Sequence, residues 1–209
     1  MKALDDLKLC TSDFADCIDL FEQTFAWLRP TSVLEIGIGV EKPWKDERGC
    51  GQSYRAFLIL CQEYGVERFL SLDIDDAEMT VDKSCAWVRD HYGPVFERGF
   101  WERIHSLDFD AERYFPNGID LVFIDSSHDS DTDIKGAGGP GMTYLELDKY
   151  AKLVSPFGIV MLHDSFEFYQ ARHEGVNVSG AVELFLKRNK NWYAIEHNTQ
   201  TGLIELRRK

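Results

Sequence analysis

The chain has 209 residues, enough for one domain with a sizeable core. Its 44% hydrophobic and 28% charged content is that of a soluble globular protein, and no stretch is long enough to span a bilayer. A net charge of -13 argues against nucleic acid as a partner, because phosphate binding needs a basic face; it is compatible with a cationic ligand or a metal ion, as well as with solubility alone.

Asp5 and Asp6 stand where a signal peptide would be apolar. Cys10, Cys17, Cys50, Cys61 and Cys85 are odd in number and form no C-x-x-C pair, which argues against a zinc site or a disulfide framework. We therefore expect reduced, mostly buried thiols in a cytoplasmic protein.

Leu7, Phe14, Ile18, Phe21, Phe25 and Leu28 recur at helical spacing. They predict an amphipathic helix, in two pieces if it restarts near Thr11-Ser12-Asp13, and stopped by Pro30. Residues 1–30 are read as a helical extension to a domain spanning 31–209, within a single compact unit. The apolar face of the extension packs on the sheet or against a second copy of the chain, and a homo-oligomer through this helix is one expectation.

Val33, Leu34 and Ile36 make an apolar run suited to a strand buried on both faces. It ends in Gly37-Ile38-Gly39, where the backbone can turn sharply and approach a ligand. A dinucleotide fingerprint lacks its third glycine, since Lys42 stands there, and any strand-to-helix turn can carry two glycines. Glu35 lies inside the strand end, where a carboxylate must be paired or face a ligand.

Val40 to Gly51 reads as a polar insertion, and Gln52-Ser53 opens a helix through Ala56, Leu60 and Tyr64. Phe69 to Leu72 is the second strand, ending at Asp73. Asp75 or Asp76 caps a helix carrying Val81, Cys85, Val88 and Tyr92, which Gly93-Pro94 ends. Arg103 to Ser106 is read as a third strand leading to Asp108. Ile119 to Ile124 is the next strand and runs into Asp125-Ser126-Ser127-His128-Asp129, followed by an acidic, glycine-rich loop to Gly141. Thr143 and Glu146 form a capping box for a helix through Leu147, Tyr150 and Val154. Gly158 precedes a strand over Ile159 to Leu162, which ends in His163-Asp164. After an irregular stretch, Ser179 starts a short helix through Val182 and Leu186. Trp192 to Ile195 and Leu203 to Leu206 close the chain as an antiparallel pair turning near Thr201-Gly202.

Strand and helix alternate, which gives an α/β, doubly wound, mostly parallel Rossmann-like sheet with a carboxy-terminal antiparallel strand pair. The helix-to-strand connections are short, while those leaving the first strand, the Ile119 strand and the Ile159 strand are long. In a parallel sheet the long connections leave from one edge, where ligands bind. Glu35, Gly37, Gly39, Asp73, Asp108, Asp125, His128, His163 and Asp164 should therefore border one crevice. Asp73 can accept both hydrogens of a ribose diol or, less aptly than Asp75 and Asp76, cap a helix. Two carboxylates and two imidazoles at Asp125, His128, His163 and Asp164 suit a hard divalent ion, although each histidine alone could be structural. Asp129, Asp131 and Asp133 read as a solvated acidic loop.

Val33 to Gly39 followed by Gly51-Gln52-Ser53, then Ser71-Leu72-Asp73, Asp120 to His128 and Gly158 to Asp164, resemble the ordered motifs of class I S-adenosylmethionine-dependent methyltransferases. The D-x-x-H and H-D pair resembles the metal-dependent O-methyltransferase branch that includes sugar O-methyltransferases and cephalosporin hydroxylase-like proteins. The resemblance implies that Glu35, Gly37 and Gly39 face the methionine part of the cofactor, with Gln52, Ser53 and Asp125 beside it. It implies that Asp73 holds the ribose and Asp108 lies near the adenine amine. Asp125 and Asp164 would be ligands of Mg2+ or another divalent cation, with His163 in the third position, where relatives can carry an acid. His128 would be the general base toward a small-molecule hydroxylated acceptor: a sugar, a phenol or a secondary metabolite. Val40 to Cys50 interrupts the first motif, and the loop after His128 is longer than in relatives; both segments could close over the site. Competing readings are a non-catalytic cofactor-binding or interaction module on the same scaffold and a metal-dependent hydrolase or hydroxylase.

Overall fold

Why the chain layers as it does is visible in its strands, whose alternate residues enter two different cores. The computed structural model describes residues 2–10, 14–38, 51–74, 76–93, 99–126, 141–165 and 178–209. Helices α1 (Lys2–Cys10) and α2 (Ala15–Leu28) precede strand β1 (Ser32–Ile36). Then come α3 (Gln52–Tyr64), β2 (Arg68–Asp73), α4 (Glu78–His91) and β3 (Gly99–Arg103). The short α5 (Ala111–Tyr114), β4 (Ile119–Ile124), α6 (Gly141–Tyr150) and β5 (Val154–His163) follow. The chain closes with α7 (Val178–Arg188), β6 (Trp192–His197) and β7 (Leu203–Arg208).

The described strands form one sheet in the order β3-β2-β1-β4-β5-β7-β6. β3, β2, β1, β4 and β5 run parallel, and β7 pairs antiparallel with both β5 and β6. The strand order reverses between β1 and β4, so the crevice of a doubly wound sheet opens at their carboxyl ends.

On one face, Val33, Phe69, Leu121, Phe123, Ile159 and Met161 pack under α1 to α4. Leu34, Leu70, Val122, Val160 and Leu162 point to the other face, under α5, α6 and α7. The helical periodicity read at the amino terminus becomes two helices, as its restart suggested. Phe21 of α2 meets Phe57 of α3 at 4.8 Å and Phe123 of β4 at 5.0 Å between ring centroids. The apolar face of α2 is thus occupied within the chain, and residues 1–30 share a core with the sheet.

Three expectations are corrected. The third strand lies at Gly99–Arg103, ahead of Arg103 to Ser106, because its partner is β2, with Asp73 opposite Arg103. Helix α6 begins before Thr143, so Thr143 and Glu146 lie within it, both buried, and do not cap it. Strand β5 begins at Val154 and takes in Gly158. A Cβ at Gly158 would lie 2.7 Å from the Ile119 carbonyl oxygen and 2.8 Å from that of Asp120, where the β4–β5 register shifts. Glycine there permits the close backbone approach.

Candidate functional site

The carboxyl end of β1 is sewn to its two neighbours. Gly37 adopts φ +91°, and its amide donates to the Leu72 carbonyl of β2 at 2.8 Å. A Cβ at Gly37 would lie 2.2 Å from the Asp125 carbonyl oxygen, so only glycine lets the turn lie against the end of β4. The Ile38 amide donates to Asp73 Oδ2 at 2.9 Å, which fixes that carboxylate beside the glycine turn. The Asp125 amide donates to the Ile36 carbonyl at 2.8 Å. Gly37, Asp73 and Asp125 therefore share one rim, as the loop lengths implied. Gly39 and His128 lie outside the described residues.

Glu35 sits just beneath this rim and is fully buried. It lies directly across from Ser71 in the β1–β2 register, and the Ser71 hydroxyl donates to Oε2. Its Oε1 is buried without a hydrogen-bond partner among the described residues. Burial pushes the Glu35 carboxyl up to about 8; hydrogen bonds from Ser53 and Ser71 oppose the rise, and the Asp125 and Asp73 charges add to it. Ser53 is buried beside Glu35 at the start of α3, and Gln52 is partly buried next to it. Asp108 is exposed in the turn after β3, its amide donating to the His105 carbonyl at 2.9 Å.

The ends of β4 and β5 bring together Asp125, His163 and Asp164, whose potential ligand atoms all lie within 4.8 Å of one another. Asp164 holds the left-handed conformation at φ +56°, uncommon outside glycine, and this turns its carboxylate back toward His163. His163 Nδ1 lies 2.9 Å from Asp125 Oδ1 and 3.3 Å from Asp164 Oδ1, and Nε2 lies 2.6 Å from Thr201 Oγ1. The Phe14 ring meets the imidazole edge-on at 5.1 Å. Burial alone would lower the His163 pKa; the Asp125 charge, the hydrogen bond the imidazole donates to Asp125, a hydrogen bond with the Cys17 side chain and the Asp164 charge outweigh burial and hold it well above the ordinary range.

Two carboxylates with about a quarter of each side chain exposed, converging beside an imidazole, are a donor set that fits a hard divalent cation. His163 fits less well as a ligand, because both of its ring nitrogens already face protein partners. The two carboxylates are the better-suited donors to an ion. A cationic ligand also fits the rim, where Glu35 Oε1 is an orphaned buried acceptor next to the glycine turn.

No protein-family profile matches the chain, and no curated protein matches it in sequence. Solved structures do match. An S-adenosylhomocysteine-bound methyltransferase from Podospora anserina is similar over 100% of this chain and 88% of its own, at 14% identity and a TM-score of 0.63. The chain has the class I methyltransferase fold. The Bacillus cereus O-methyltransferase, in complex with S-adenosylhomocysteine, matches 100% of this chain and 91% of its own at 12% identity and a TM-score of 0.60. The MycE methyltransferase of the mycinamycin pathway, in complex with Mg, S-adenosylhomocysteine and mycinamycin VI, matches 91% of this chain and 48% of its own at 20% identity and a TM-score of 0.59.

Several residues at this rim escaped the sequence reading. Thr201 braces His163 from the turn before β7, 38 positions away. In the sequence Ser71 reads as strand and as part of the Ser71-Leu72-Asp73 motif; its place opposite Glu35 follows once the β1–β2 register is known. Glu146 lies 1% exposed beneath the rim, between Ser106 and Ser126. Its spacing from Thr143 satisfies the local capping pattern, which concealed a tertiary role.

Proposed function

We propose that the protein is an S-adenosylmethionine-dependent O-methyltransferase acting on a hydroxyl of a small molecule such as a sugar, a phenol or a secondary metabolite. The observation that carries the proposal is the fixed cluster at the carboxyl edge: the Gly37 turn against Asp125, Asp73 clamped to that turn, and Asp125 facing Asp164 through His163. The methyltransferase fold of the similar structures supports it, and the MycE complex with Mg supports a metal-assisted version.

When bound, S-adenosylmethionine supplies an electrophilic methyl group on a sulfonium centre. The Gly37 turn and Asp73 would hold its methionine and ribose parts, with Glu35 beneath offering an acceptor to its ammonium group. Asp125 and Asp164 would hold a divalent cation, whose Lewis acidity would lower the pKa of an acceptor hydroxyl. His163, braced by Thr201, keeps the two carboxylates facing one another. His128 would take the proton of the acceptor hydroxyl. A positioned base of this kind contributes about 10²–10⁴-fold.

The test is a panel of hydroxylated acceptors, scored by release of S-adenosylhomocysteine with and without a chelator. The proposal expects turnover on at least one acceptor, abolished by chelation and restored by Mg2+. Cofactor binding with no turnover on any acceptor favours a non-catalytic module. Metal binding with no affinity for the cofactor favours the hydrolase or hydroxylase reading.

A further inference from the structure

Helix α6 grips the turn after β3 with one face. Glu146, Lys149 and Tyr150 stand at i, i+3 and i+4, so their side chains share a side of the helix. Lys149 Nζ donates to the carbonyls of Ser106, Leu107 and Phe109 at 3.0, 2.8 and 2.7 Å. The Tyr150 hydroxyl donates to the Ser106 carbonyl at 2.5 Å. Glu146 reaches further. Its Oε1 accepts from the Ser106 hydroxyl and its Oε2 from the Ser126 hydroxyl, each at 2.5 Å.

Ser126 follows Asp125 at the end of β4, and Ser106 precedes Asp108 by two residues in the turn after β3. One buried carboxylate thus links two separate parts of the rim. Burying a carboxylate is costly, and an apolar residue of similar volume in such a place is often neutral or stabilising. A carboxylate at 1% exposure that spends both oxygens on two rim segments is better explained by geometry than by stability.

We propose that Glu146 is a positioning residue for cofactor recognition: by bridging Ser106 and Ser126 it sets the turn that carries Asp108 against the end of β4, and so sets the site's preference for an adenine over a hypoxanthine base. This inference rests on the methyltransferase reading above and adds to it a residue that never touches the cofactor. Displacing the Ser106 turn moves Asp108, and with it any partner for the exocyclic amine.

The experiment compares the binding of S-adenosylhomocysteine and S-inosylhomocysteine, which carries a carbonyl in place of that amine, to wild type, Glu146→Gln and Glu146→Leu. Calorimetric titration gives both affinities, and circular dichroism melts report folding. Wild type should prefer the adenine ligand. Gln can accept from one serine and donate to the other, so Glu146→Gln should keep that preference and bind S-adenosylhomocysteine within about threefold of wild type. Glu146→Leu should lose about tenfold or more for S-adenosylhomocysteine while the preference collapses toward unity. A melt that drops in Glu146→Leu with the preference intact marks a structural residue and overturns the proposal. If Glu146→Leu does not fold, Ser106→Ala removes one of the two bonds; it should reduce the preference, and an unchanged preference overturns the proposal. Wild type that binds neither ligand overturns the methyltransferase reading and this inference with it. Wild type that binds, with every variant alike, overturns the inference alone.

Discussion

Replacing Glu35 by Gln should change how stability depends on pH more than it changes stability at pH 5. Glu35 is fully buried, its carboxyl raised from 4.5 to about 8 chiefly by burial. A raised folded-state pKa means that the native protein holds a proton the unfolded chain has released. The stabilisation is therefore complete below pH 4.5 and is lost as pH rises to about 8, beyond which the dependence flattens. Each pH unit in that window is worth about 1.4 kcal/mol, so Glu35 alone lowers the unfolding free energy by at most about 5 kcal/mol across it. That is a large share of the roughly 5–15 kcal/mol typical of a domain. Gln keeps the shape, can still accept from Ser71, and does not titrate. Urea unfolding of cofactor-free wild type and Glu35→Gln at pH 5, 6.5 and 8 is the assay, because groups not coupled to Glu35 cancel in the difference between the two proteins. The variant should gain on wild type steadily with pH and be the more stable by several kcal/mol at pH 8. Parallel curves would refute a neutral, buried Glu35 and the strand-end geometry from which it follows.

Three further outcomes follow from the rim. Gly37→Ala places a Cβ 2.2 Å from the Asp125 carbonyl at φ +91° and should cost about 2–4 kcal/mol in urea unfolding; an unchanged midpoint would contradict the close approach. Asp164→Asn removes one of two facing carboxylates and should weaken Mg2+ binding in calorimetry about tenfold or more, leaving the melt near that of wild type; undiminished metal affinity would take Asp164 out of the cation site. His128→Ala should slow methyl transfer about 10²–10⁴-fold and leave cofactor affinity nearly intact; loss of cofactor binding instead would mark a structural residue.

The amino-acid order made the sheet legible because its signals are local. Val33 to Ile36 and Ile119 to Ile124 are each apolar but for one acid, Glu35 and Asp120, as befits strands covered on both faces. Long connections after β1, β4 and β5 located the rim, and Asp125, His163 and Asp164 meet there. Other features depend on partners far along the chain and had no local signature. β3 lies at the sheet edge, with Phe100 exposed, so the apolar pattern that marks a buried strand is absent. Glu146 looks like a capping residue within its own helix, and only the approach of Ser106 and Ser126, 40 and 20 positions away, reveals what it holds. His163 is itself a predicted third ligand, yet Thr201 and Asp125 take its nitrogens, a contest that spacing does not encode.

The most direct measurement is calorimetric titration of the intact protein with S-adenosylhomocysteine, repeated on Asp73→Ala. Wild type should bind saturably and one-to-one, and binding should weaken about tenfold or more once the carboxylate beside the Gly37 turn is gone. Wild type that binds no S-adenosylhomocysteine, or Asp73→Ala that binds it as tightly as wild type, would contradict the proposed cofactor site.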